Sequence, residues 1–223
     1  MLDLSVQLLL VFLIDAAILV FLMWAHRAPR LARFRIHRGP GMQVPWKSRS
    51  RTMLVTAVLS LLAIFAGAYF GFGFFFRQGG ASIGRIALES LGVLVLYDFI
   101  YYFAHRAMHH PAVLRHVHGV HHRARNPSAL ESFYQHPIEL FVGISLLFIA
   151  TWTVGPIHVE SFALVFLVYS TFNILVHSGL DSGTWLLRPI DFLTRKHHAH
   201  HHDDPAKNFS SLTPLPDFLF GTL

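Results

Sequence analysis

The sequence contains no cysteine, which excludes a disulfide framework, thiolate-bound zinc and iron–sulfur clusters. Charge is also scarce. Asp, Glu, Lys and Arg make up 13% of 223 residues, against about 25% in an ordinary soluble domain. With 53% hydrophobic residues, that deficit points to one integral-membrane domain over residues 1–223. Internal repeats are missing, as is the HExxH motif of zinc proteases, and no cytochrome or flavin motif occurs. Met1–Gln7 carries no Lys or Arg, so the first apolar run reads as a retained span and not as a cleaved signal peptide.

Acidic residues are outnumbered, 12 against 18 Lys/Arg, for a net charge of +6. Eight of those basic residues lie between Arg27 and Arg51, between two apolar runs. This placement suits a cytoplasmic loop, residues 26–52, beside anionic headgroups, and no nucleic-acid partner is expected. Pro29, Gly39-Pro40-Gly41 and Pro45 break the stretch into loop or interfacial segments.

Three long apolar runs, Leu4–Ala25, Met53–Phe76 and Ser82–Phe103, are each long enough to cross a hydrocarbon core of about 30 Å. Ile138–Val154 and Val159–Val176 are shorter, roughly 26 Å each as helices, and read as full spans or as a hairpin dipping into the bilayer. The expected fold is therefore an all-α membrane protein with four to five transmembrane or re-entrant helices. If the basic loop is inside, residues 105–136 and everything from His177 onward are inside too. Only Arg77 and Arg85 then lie near the outer face, as the positive-inside tendency requires. Asp15, within the first run, is expected to face other helices.

Histidine is abundant: 17 residues, 15 of them between His105 and His202. They form His105-Arg-Ala-Met-His109, then His118-Gly-Val-His121-His122, then His197-His198-Ala-His200-His201-His202. Residues four apart on a helix share a face, so His105 and His109 can bind one metal or flank two. Adjacent histidines diverge by about 100° and can reach different ions. One zinc takes about four ligands, so eight to ten imidazoles without thiolates suggest two metals in a cytoplasmic cap. Imidazole suits iron, zinc, copper or nickel alike. Asp98, Tyr101, Tyr102, His105 and His109 lie on one helical stripe. Asp98 would orient the distal N–H of a metal-bound histidine, or pair with Arg106, Arg115 or Arg123.

These boxes resemble those of the sterol desaturase / fatty acid hydroxylase superfamily of membrane di-iron enzymes. Asp98 to His109 resembles its first signature and His118 to His122 its second. Gln135-His136-Pro137-Ile138-Glu139, Asn173 to His177, Asn208-Phe209 and Asp217 to Thr222 resemble later steps. The likeness covers residues 91–222, the implied catalytic region. It implies two iron ions held by His105, His109, His118, His121, His122, His177 and three histidines of the last box. Those three are His197/His200/His201 or His198/His201/His202, and the spacing to Asn208 favours the second register. Asn173 stands where some members have a further histidine, which implies one less fully ligated metal. His136 is expected behind the ligands, with Asn208 as a further supporting residue. Pro216 and Ser210 depart from the family's usual Trp and Gly.

The resemblance further implies a lipid hydroxylase or desaturase using O2. Its substrate would be sterol-like, fatty acyl or isoprenoid, entering laterally from the membrane. Electrons would come from an external ferredoxin, a cytochrome b5-like protein or a reductase, since the chain has no redox motif of its own. Zinc could substitute for iron. A membrane zinc transporter or metal-binding protein is the alternative, although transporters place ionisable ligands near mid-membrane.

Overall fold

A computed structural model describes residues 1–37 and 44–223. The expected Gly39-Pro40-Gly41 break lies outside the described residues. Among the described residues, five helices are long and apolar enough to cross a membrane: α1 (Leu2–Arg27), α2 (Trp46–Phe70), α4 (Ile83–Met108), α6 (Pro137–Val154) and α7 (Val159–Val176). Between α2 and α4 lies a single turn, α3 (Phe72–Phe75), and after α4 comes α5 (Pro111–His116). The chain ends with α8 (Arg188–His202) and α9 (Leu215–Leu219). Short 3₁₀ turns cover Pro29–Phe34, His118–Arg123 and Ala129–Phe133.

The spans are apolar nearly all round, as helices in lipid must be. Leu9, Leu13, Phe21, Leu54, Leu62 and Leu91 point outward, while Leu8, Ile64, Val93, Leu147, Phe162 and Val165 fill the interior. α1 packs chiefly on α7, α2 on α6, and α4 on both α6 and α7. The shorter spans are therefore the centre of the bundle and not a shallow dip at its edge. They are joined at Gly155, whose φ of +102° suits glycine. The basic loop is shorter than expected, because Pro45 caps α2 and Lys47, Arg49 and Arg51 lie on its first turns.

At one end of the bundle, the two-residue strands β1 (Phe76–Arg77) and β2 (Ile157–His158) pair in parallel, a detail that apolar periodicity does not predict. Glu89 on α4 closes this end. It accepts from Arg85 (2.6 Å), the His158 backbone (2.9 Å) and Ser161 (2.7 Å). The other end carries the histidine boxes under a cap made of α5, the 3₁₀ turns, α8 and the C-terminal segment.

Candidate metal centre

Two groups of imidazoles meet at this end. One contains His105, His109, His118, His122 and His200; the other His121, His177, His197 and His201. Within each group the potential ligand atoms lie within 4.8 Å of one another. The groups adjoin, with the His122 and His201 rings stacked 4.6 Å apart. The adjacent pairs His121-His122 and His200-His201 each divide between the two groups, as residues turned by about 100° can.

In the first group, His118 Nε2 lies 3.0 Å from His105 Nε2, 3.1 Å from His109 Nε2 and 3.0 Å from His122 Nε2. In the second, His177 Nε2 is 3.2 Å from His121 Nε2. Several Nδ1 atoms are committed elsewhere. His105 donates to the Phe209 carbonyl (2.7 Å), His121 to the Tyr134 carbonyl (3.0 Å) and His177 to the Asn173 carbonyl (2.6 Å). His200 donates likewise to the Lys207 carbonyl. Each carbonyl fixes its ring's proton on Nδ1 and turns a lone pair inward through Nε2. Converging lone pairs repel unless a cation lies between them. Gaps of 3.0–3.3 Å are those of neighbouring donors around one ion with metal–nitrogen bonds of about 2.0–2.1 Å. The Nε2 atoms of His197, His200 and His201 are buried without any hydrogen-bond partner, as open ligand positions would be. The donor set therefore fits two metal ions.

Burial favours the neutral, ligating form. It pushes the His109 and His118 imidazoles down to about 4 and His200 to about 3, with neighbouring imidazoles adding to the shift at His109 and His200. His122, His177, His197 and His201 are likewise lowered, by burial first and then by nearby imidazoles.

Of the third box, the structure brings three rings into the two groups, and they are not the set that the spacing to Asn208 favours. His197, His200 and His201 face the centre, while His198 and His202 turn to the far side of α8 beside the ring of His37 (5.5 and 4.7 Å between centroids). α8 is anchored by the buried pair Lys196–Asp217 (2.6 Å), a contact that the box spacing does not encode. Asp217 also accepts from the Phe209 and Ser210 backbones (2.7 and 2.9 Å). Ser210, where the family usually has Gly, bonds to Asp217 through its hydroxyl (2.5 Å).

Among the described residues, Asp98 makes neither of its expected contacts. It accepts from the backbone N–H groups of Ser211 (3.0 Å), Leu212 (2.8 Å) and Thr213 (2.9 Å), and from the Thr213 hydroxyl (2.6 Å). It therefore supports the centre indirectly, by anchoring the segment whose Phe209 carbonyl orients His105. Tyr101 packs beside the His105 ring, at 5.4 Å. Tyr102 meets Thr222 (3.0 Å) and accepts from Arg106 (3.1 Å). His136 caps α6 by accepting from the Ile138 N–H (3.2 Å), and no contact joins it to the two groups among the described residues. Asn208 adopts φ +62°, a conformation asparagine tolerates, and donates its backbone N–H to the Thr222 carbonyl (2.7 Å). Asn173 borders a small hollow beside the second group, the one with four imidazoles. Gly179 (φ +67°), just beyond His177, packs against the Pro127 carbonyl where a side chain would not fit.

Glu139 has a place that sequence reasoning left without a role: its Oε1 lies 3.0 Å from His118 Nδ1, with both groups buried. A carboxylate in the first turn of an apolar helix is a usable signal, because such a group needs a partner.

The sequence profile of the fatty acid hydroxylase family matches residues 90–222. Methylsterol monooxygenase 1 of Rattus norvegicus is 31% identical over 137 residues, 59% of this chain and 45% of that protein. The Danio rerio methylsterol monooxygenase 1 is 30% identical over 60% of this chain and 46% of its own length. Very-long-chain aldehyde decarbonylase GL1-11 of Oryza sativa subsp. indica is 34% identical over 61% of this chain and 53% of its own. The chain thus spans about half the length of these curated relatives. No solved structure matches it. With five candidate spans, a histidine-lined end and the family profile in agreement, the chain is an integral membrane protein belonging to the fatty acid hydroxylase family of the sterol desaturase / fatty acid hydroxylase superfamily.

Proposed function

We propose that this protein is a membrane-bound non-haem di-iron oxygenase that hydroxylates or desaturates a lipid, using O2 and electrons from an external donor. The observation that carries this reading is the pair of adjoining imidazole groups with inward Nε2 atoms, at the end of a lipid-embedded bundle. His105, His109, His118, His122 and His200 would hold one iron, and His121, His177, His197 and His201 the other. Imidazole donors alone admit several metals, and the choice of iron follows the family. When bound, iron supplies the dioxygen chemistry needed to attack a C–H bond.

The protein's part is to position and to shield. The Phe209, Tyr134, Asn173 and Lys207 carbonyls hold four rings in one tautomer, and Glu139 stands behind His118. The apolar bundle delivers an apolar chain to the histidine end. The histidine end is assigned to the cytoplasmic side, because Arg77 and Arg85 lie at the opposite end and the basic segment after α1 adjoins the boxes. The ligating groups gather at the end of the spans and not at mid-membrane, which disfavours a transporter.

Comparative lipid mass spectrometry of cells carrying the native protein or a His121→Ala/His122→Ala variant tests the activity. A lipid that gains one oxygen or loses two hydrogens with the native protein, and not with the variant, is the expected result. Identical lipid profiles across sterol, acyl and isoprenoid fractions would refute the assignment.

A further inference from the structure

A cavity of about 360 Å³ lies inside the bundle, within the size range of small-molecule sites. Its wall is mostly apolar, including Phe12, Leu19, Ile64, Ile144 and Phe166. Val58 and Leu61 of α2 line it and are also exposed on the bundle surface, which gives it a side facing lipid. At its upper end it reaches Gln135 and Asn173, which also border the hollow beside His121, His177 and His197. The cavity therefore leads from the lipid side toward the imidazole groups.

Asp15 projects into this space from the middle of α1 and is only 6% exposed. A carboxyl group in an apolar span is costly unless it is paired, and no basic side chain bridges to it among the described residues. Its polar neighbours are two hydroxyls of α7. Thr171 donates to Oδ1 at 2.8 Å. Ser170 is also beside it, but the Ser170 hydroxyl donates at 2.6 Å to the Phe166 carbonyl. A carboxylate offers about four acceptor positions, so one committed donor leaves capacity turned toward the cavity. Packing α1 on α7 would need only the Thr171 contact; it does not explain why the carboxyl group also lines a mostly apolar chamber.

We propose that Asp15 is a specificity-determining residue that accepts a hydrogen bond from a hydroxyl group of the lipid substrate, selecting an alcohol over an alkane or ether of the same shape. This rests on the reading of the protein as a lipid oxygenase. Thr171 precedes His177 by six residues, a rise of about 9 Å along α7. The anchored hydroxyl is thus on the order of 10 Å from the carbon presented to the imidazoles. The substrate class is a hydroxylated lipid that is attacked at a site remote from its hydroxyl.

The test is photolabelling of the full chain in detergent micelles, with a medium-chain primary alcohol bearing a diazirine and with its methyl ether. Peptide mapping reads labels on α1, α2 and α7. The alcohol is expected to label the cavity about threefold to tenfold more efficiently than the ether, as one net hydrogen bond implies. Asp15→Leu should abolish that preference while leaving ether labelling in place. Equal labelling of the native chain by both probes, or a preference that persists in Asp15→Leu, overturns the proposal. If thermal melts show Asp15→Leu to be unfolded, Asp15→Ala decides, because it too removes the acceptor: loss of the preference supports the anchor and an unchanged one refutes it. Labelling requires neither metal nor turnover. Failure to oxidise any lipid would therefore count against the oxygenase reading alone, and loss of the alcohol preference against the anchor alone.

Discussion

The two registers of the third histidine box make opposite predictions about metal content. In the structure, His197 and His201 belong to the four-imidazole group, and His198 and His202 to neither group. Replacing His197 and His201 with Ala leaves His121 and His177 as the only imidazoles of that group. Losing a partner that merely orients a ligand weakens metal binding about 10–100-fold, so losing two ligands should cost at least about 10²–10⁴-fold. That is about 2.7–5.5 kcal/mol at 1.36 kcal/mol per decade. The assay is metal analysis by mass spectrometry of protein purified from iron-replete cells, with circular dichroism as a check on folding. The His197→Ala/His201→Ala variant should fall from two metals per chain toward one. The His198→Ala/His202→Ala variant should keep both, because those rings lie beside His37 on the far side of α8. Loss of metal by the His198→Ala/His202→Ala variant would refute the grouping and restore the alternative register, because His201 belongs to both registers and only His198 and His202 tell them apart.

Glu139→Gln removes the carboxylate beside His118 and should weaken metal retention about 10–100-fold in a chelator competition assay, whereas Glu89→Gln at the opposite end should leave retention unchanged. Asp98→Asn replaces an acceptor of three backbone N–H groups with an amide that can accept at only one of its two ends. It should lower stability by about 2–4 kcal/mol, read as a reduced melting temperature in detergent. For pH, His109, His118 and His200 are held below the ordinary histidine value, down to about 4, 4 and 3. The unfolded chain thus binds more protons than the folded one as pH falls below about 6.5, so stability and metal retention should be complete above that value. Both should decline between about 6.5 and 3, and metal content that stays flat across that interval would contradict the burial of these rings.

The apolar runs and the histidine spacing alone determined the all-α membrane fold, a count of four to five spans and the abundance of ligands. Each of these depends on local composition: about 20 apolar residues cross a bilayer wherever they occur, and adjacent histidines diverge on any helix. Even the division of His121 from His122 between two groups was foreseeable in this way. The register of the last box was not. His197/His200/His201 and His198/His201/His202 have the same internal spacing, so helical periodicity cannot choose between them. The choice requires the rotation of α8, which rests on long-range contacts such as that of Lys196 with Asp217, 21 residues along the chain. Asp98 is a similar case. A carboxylate at a membrane edge must find donors, but nothing in the spacing said that they would be backbone N–H groups 113–115 residues later instead of a histidine or an arginine nearby. The cavity at Asp15 likewise exists only because α1 packs on α7 and α2 on α6, leaving space between them. Local pattern thus specified which residues could bind metal, and long-range packing of buried polar groups decided which of them face the centre.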